Sequence, residues 1–147
     1  MKNMKVSNGY RPDLKGMPDT SVIQMETPET VGVSAMDIPY IRPGLLVRVN
    51  DPVKTGTPLF CDKRDRSIVY VSPGTGIVKY IIFGQRRKLI EVVIELGKNE
   101  EFIEFAPVSQ ENIEKTPKTA IIKQLKEGGL WQCFREFPSK DTADESH

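Results

Sequence analysis

At 147 residues, with 38% hydrophobic and 28% charged side chains, the chain has the size and content of one domain built on a single modest core. Its 21 basic and 20 acidic side chains leave a net charge of +1, so no long-range field draws it to nucleic acid or anionic lipid, though a local basic patch remains open, and its apolar runs fall far short of the roughly 20 residues of a membrane-spanning helix. The 11 glycines and 11 prolines favour turns and short strands over long helices, and the opening "MKNMKVSNGYRP" lacks the apolar centre of a secretory signal.

Between Lys5 and Gly44 five prolines and four glycines interrupt the chain, leaving "TSVIQME" and "ETVGVSAM" as its strand-like pieces. Region 1–41 is therefore expected to supply N-terminal strands and loops packed on a core at 42–106. There "LLVRV" is apolar at 45, 47 and 49, "NDPVKTG" turns, and "TPLF" resumes a strand. A second unit repeats the logic. "SIVYV" alternates, and "SPGTG" turns with Pro73 fixing φ and Gly74 or Gly76 available for positive φ; "IVKYIIF", the turn "GQRRK" and "LIEVVIEL" complete it. Two strand-turn-strand units of similar spacing predict a mainly β domain of small antiparallel sheets.

Region 107–138 changes character. In "KTPKTAIIKQLKEGGLW" Thr116 is placed to N-cap a helix, Pro117 suits its first position, Ile121, Ile122 and Leu125 share a face, and Gly128 or Gly129 ends it. Leu130, Trp131, Phe134 and Phe137 then offer bulk to pack back on the domain, while the polar stretch 139–147 is expected to be a disordered tail.

The chemistry is informative by exclusion. The sole histidine is His147, which removes Ser-His and Cys-His nucleophiles and histidine metal ligation. No phosphate-binding Gly-x-x-x-x-Gly-Lys loop occurs, and the "GTG" at 74–76 lacks the third glycine of a dinucleotide site. Carboxylate pairs at Glu100 and Glu101, Asp62 and Asp65, and Glu91 and Glu95 fall in segments expected to be exposed. Cys61 and Cys133 are too few for a disulfide scaffold; Cys61 lies near Lys63 and Arg64, which would favour a thiolate, and otherwise occupies an inner or edge face of a strand. Lys63, Arg64 and Arg66 in one hairpin and Arg86, Arg87 and Lys88 in another would, if the hairpins meet, form a patch for a nucleotide phosphate, a lipid headgroup or an acidic partner; otherwise they are solubilising surface charge. Interleaved aromatics for single-stranded nucleic acid are sparse.

"VRVNDPVKTGTPLFCDK" followed by "VSPGTGIVKYIIFG" resembles lipoyl and biotinyl carrier domains, which are flattened barrels of two small sheets. That resemblance, over residues 42–96, would make Lys63 the attachment site of a swinging arm, although the charged "RDRS" and the missing Met-Lys-Met depart from it. A wider resemblance joins "NGYRPDLKGMP", "YIRPGLLVRVNDPVKTGTPLFCDK", "VSPGTGIVKYIIFGQRRKLIEVVIE" and "GGLWQCFREFPSK": in order, these look like the N-terminal region of the A subunit of the sodium-translocating NADH:quinone reductase.

This second likeness implies a barrel-sandwich hybrid with one C-terminal helix. It also implies a peripheral subunit on the cytoplasmic side of the bacterial inner membrane, in contact with other subunits of the complex. Ubiquinone, flavin, NADH and sodium are then handled by the complex, with no cofactor or metal bound by this chain alone. The family's subunit is much longer, which implies a fragment, a shortened relative or a split subunit, and Arg135-Glu136-Phe137-Pro138 replaces the family's Arg-x-x-Pro-Phe.

Overall fold

A computed structural model of the chain describes residues 15–16, 19–108, 110–139 and 141–143. Seven strands, β1 (Thr30–Ser34), β2 (Pro43–Leu45), β3 (Pro52–Val53), β4 (Pro58–Asp62), β5 (Val69–Val71), β6 (Gly76–Phe83) and β7 (Leu89–Leu96), precede the one α-helix among the described residues, α1 (Lys118–Glu127). They form two antiparallel sheets, ordered β1-β7-β6-β3 and β2-β4-β5. This is the mainly β architecture that the alternating runs predict, with the two small sheets and single C-terminal helix that the resemblance implies.

The long β6 and β7 follow from alternation. Val92 and Ile94 point inward and are fully buried, and Val78 meets them from β6. The second sheet brings Leu59 and Phe60 from its central strand, where Phe60 stacks on Tyr70 at 4.9 Å between ring centres. Residues 59–62 are all buried. β4 is covered on both faces, since Ile122 of α1 and Trp131 belong to the same core cluster. The prolines that begin β2 and β3 sit on edge strands, where a missing N–H costs no ladder bond.

The structure departs from the sequence reading at short elements. Residues 20–28, where "TSVIQME" promises a strand, form none, and Val22, Ile23 and Met25 are exposed. β1 lies within the four-stranded sheet, as the partner of β7. "LLVRV" contributes only Leu45 to a strand, because pairing with β4 begins at Pro43, and two residues of the expected turn "NDPVKTG" make β3 against β6. Gly74 and Gly76 do not take positive φ; Gly56 and Asn50 do. Gly76 is needed for space, since a Cβ there would run into the Glu95 carbonyl oxygen.

α1 begins after Pro117 with no side-chain cap, and the Thr116 hydroxyl donates back to the Asn112 carbonyl. Its end is a Schellman turn: Leu130 N–H donates to Leu125 C=O, Gly129 N–H donates to Lys126 C=O, and Gly129 takes φ +70°. Of the four bulky groups expected to pack back, Trp131 is buried and Phe134 lies half exposed against it at 5.3 Å between ring centres, while Leu130 and Phe137 remain exposed.

Candidate functional site

The connection between β4 and β5, residues 63–68, is where the carrier-domain resemblance would place a modified lysine. Lys63 is exposed at its start, and its backbone N–H donates to the Arg42 carbonyl. The residues that follow are fastened down. Arg64 donates through Nε and Nη2 to Asp62 Oδ2 at 3.0 and 2.7 Å, and through Nη1 and Nη2 to Asp141 at 3.1 and 3.2 Å. Asp62 is buried, although the sequence placed it on an exposed segment. Burial pushes its carboxyl up, but Arg64 outweighs burial and holds it below the usual carboxylate range. The same guanidinium, helped by the Thr142 N–H, lowers Asp141, and both carboxylates raise Arg64.

A second clasp comes from α1. Lys126 Nζ donates to Asp65 Oδ2 at 2.9 Å and Ser67 Oγ at 2.7 Å, and lies 5.8 Å from the centre of the Trp131 ring. The Asp65 carboxyl is raised by burial, yet lowered overall by hydrogen bonds from Ser67 and Lys126. Trp131 Nε1–H in turn donates to the Ala143 carbonyl, and Arg135 bridges to Thr142. Residues 141–143 of the expected tail are thereby held against the hairpin; residues 144–147, His147 included, lie outside the described residues.

The predicted basic set is divided between the two sheets. Arg64 is held between Asp62 and Asp141, whereas Lys63 and Arg66 are exposed on the β4–β5 connection. Arg86, Arg87 and Lys88 are exposed at the tip between β6 and β7. There Lys88 N–H donates to Gln85 C=O, and both central residues are left-handed, Arg86 at φ 56° and Arg87 at φ 55°. Such a turn favours Asn-Gly, since side chains with a Cβ are strained in it. Cys61 is buried with its thiol toward the Gly44 carbonyl at 3.5 Å. Of the other carboxylates, Glu101 pairs with Lys54 and Glu95 with Lys79. Among the described residues no group of three or more Cys, His, Asp or Glu is placed to hold a metal ion, and no helix is long and apolar enough to cross a membrane.

Sequence reasoning missed the face around α1. A hollow of about 690 Å³ lies between α1 and the β4–β5 sheet, walled by Val69, Ile103, Phe105 and Ile122. A second, of about 430 Å³, lies along the other flank of α1 beside Val108, Ile113 and Leu125, and Phe105 borders both. Ile103, Phe105, Val108, Ile113 and Leu130 are exposed there. Segment 101–103 is positioned from the barrel: Thr75 Oγ1 donates to Glu101 C=O and accepts from its N–H, and Ile103 N–H donates to Thr55 C=O. One signal was available: Lys126 follows Ile122 by four residues and so shares its buried face, which marks it as a paired lysine.

Residues 4–97 match the family model described as the NqrA N-terminal barrel-sandwich hybrid domain. Proteins described as the A subunit of Na(+)-translocating NADH-quinone reductase are similar over most of the chain. That of Pseudomonas aeruginosa is 30% identical over 141 residues, covering 96% of this chain and 32% of its own length. That of Alcanivorax borkumensis is 30% identical over 135 residues, 92% of this chain and 30% of its own, and that of Klebsiella pneumoniae is 29% identical over 139 residues, 95% and 31%. The chain spans about a third of the length of these relatives. The match over residues 4–97 takes in both sheets of the barrel, and it decides the family: the chain belongs to the NqrA N-terminal barrel-sandwich hybrid domain family.

Proposed function

We propose that the chain is a docking and assembly domain of a sodium-translocating NADH:quinone reductase, peripheral to the bilayer on its cytoplasmic side. NADH oxidation, flavin and ubiquinone chemistry and sodium movement belong to the complex, and this chain's own work is to hold subunits in place. The observation that carries the reading is the apolar face around α1. Soluble domains rarely leave contiguous apolar surface of this kind uncovered unless it meets another polypeptide. Family membership supports another polypeptide of the reductase as the occupant, and the exposed Ile103, Phe105 and Leu130 offer it an apolar seat. The clasped hairpin supports docking over carriage, since Arg64, Asp65 and Ser67 are tied to α1 and residues 141–143, leaving the tip little freedom to swing.

A tagged chain expressed in its native host and purified from mild-detergent extracts of membranes is expected to bring down the remaining reductase polypeptides with NADH:quinone reductase activity, and the isolated chain to show none. Phe105→Asp is expected to release the partners while leaving the fold intact by circular dichroism. Turnover by the isolated chain, or undiminished co-purification of Phe105→Asp, would overturn the reading.

A further inference from the structure

The tip between β6 and β7 combines three properties that the assembly reading does not use. It carries Arg86, Arg87 and Lys88 together, all exposed. Its two arginines occupy left-handed positions where Asn-Gly would relieve strain, so the cations hold their places against the chemistry of the turn. Immediately before it Ile82 and Phe83 are exposed, at 41% and 46%, on the end of the strand that leads into the turn. The β1 segment follows β7 as far as Ala35, whose N–H donates to the Ile90 carbonyl, and the turn at 85–88 lies beyond that last contact. The nearest acidic group on these strands, Glu91, extends back over Gly32 and away from the tip.

We infer that this tip is a contact for an anionic lipid surface, with Arg86, Arg87 and Lys88 at the headgroup phosphates and the exposed Ile82 and Phe83 close behind them at the margin of the contact. A cluster of cations flanked by exposed apolar groups suits the margin of a bilayer interface. An acidic protein surface would use the charges and leave Ile82 and Phe83 in water. The inference stands apart from the assembly reading, since a domain that fails to meet lipid can still dock on protein.

The test is sedimentation of the 147-residue chain with vesicles of phosphatidylcholine alone and of phosphatidylcholine with phosphatidylglycerol, at low and high salt. Binding is expected only to the anionic vesicles and is expected to weaken with salt. Arg86→Gln with Arg87→Gln keeps the strain and removes the charge, and should weaken partitioning by about thirtyfold, given the contribution of each cation near such a surface. Arg86→Asn with Arg87→Gly should weaken it equally and raise the melting temperature by about 5 °C, because the turn relaxes. Arg86→Lys with Arg87→Lys should bind as the parent does. Equal binding to both vesicle types, unchanged binding of the Gln pair, or capture by poly-glutamate with no vesicle binding would each overturn the inference, the last by assigning the tip to an acidic protein.

Discussion

Lys126 and Asp65 form an unequal pair. The lysine side chain is 7% exposed and the aspartate 45%, so water can take over the carboxylate and cannot easily reach the ammonium. Removing the two partners should therefore have unequal effects. Asp65→Ala strips a buried ammonium of its carboxylate and is expected to destabilise the domain by about 1–3 kcal/mol, read by urea unfolding. Lys126→Met keeps the length and packing of the side chain while leaving a half-hydrated carboxylate, and should fall within about 1 kcal/mol of the parent. The sequence marks the charges of this pair but not their meeting. Asp65 and Lys126 lie on a turn and a helix that only the tertiary fold brings together, and Arg64 and Asp141 are joined in the same way.

At the level of elements, the end of α1 is set by one residue. Gly129 has φ +70°, and a Cβ there would stand 2.9 Å from Val71 Cγ1. Gly129→Ala is expected to cost about 1–3 kcal/mol, lowering the urea midpoint, as left-handed strain and overpacking add. Gly128→Ala, without a positive φ, should cost less. Why β6, β7 and α1 were legible in sequence while β2 and β3 were not follows from length. Eight-residue runs such as "LIEVVIEL" declare their period, whereas a strand of two or three residues owes its existence to the partner beside it. The "TSVIQME" segment shows the converse: apolar, β-prone residues without a sheet edge to join remain exposed coil.

For the whole molecule, the clasps make docking of the C-terminal region sensitive to acid. Asp62, Asp65 and Asp141 are each more acidic in the folded chain than in the unfolded one. The stability they contribute is complete above about pH 4, the unfolded carboxylate range, and is lost as pH falls through the lower folded values. Trp131 is the only tryptophan, so its emission should hold steady from neutral pH to about pH 4 and shift to the red below it. Arg64→Gln should move that transition upward, because its guanidinium is what lowers Asp62 and Asp141. Lys63 stands beside this fixed frame, and intact mass spectrometry of the chain from its native host is expected to give the unmodified polypeptide mass. An added acyl or biotinyl mass would restore the swinging-arm reading.

The barrel type was legible because carrier-like turns and strands recur in order. The apolar face around α1 was not, because Phe105 and Ile103 precede the helix in a segment with no period of its own.

The order of strands in the larger sheet bears on how the chain is made. β1 emerges early from the ribosome, but its one neighbour is β7, the last strand of the sheet. Until Leu96 has been synthesised, Thr30–Ser34 has no strand to join and must wait unpaired. The β6–β7 hairpin, local in sequence, is free to close first, and capture of β1 is then the slower, long-range step. Nascent chains halted before Leu89 should accordingly be cut readily by protease in the first strand, and chains released beyond Leu96 should resist.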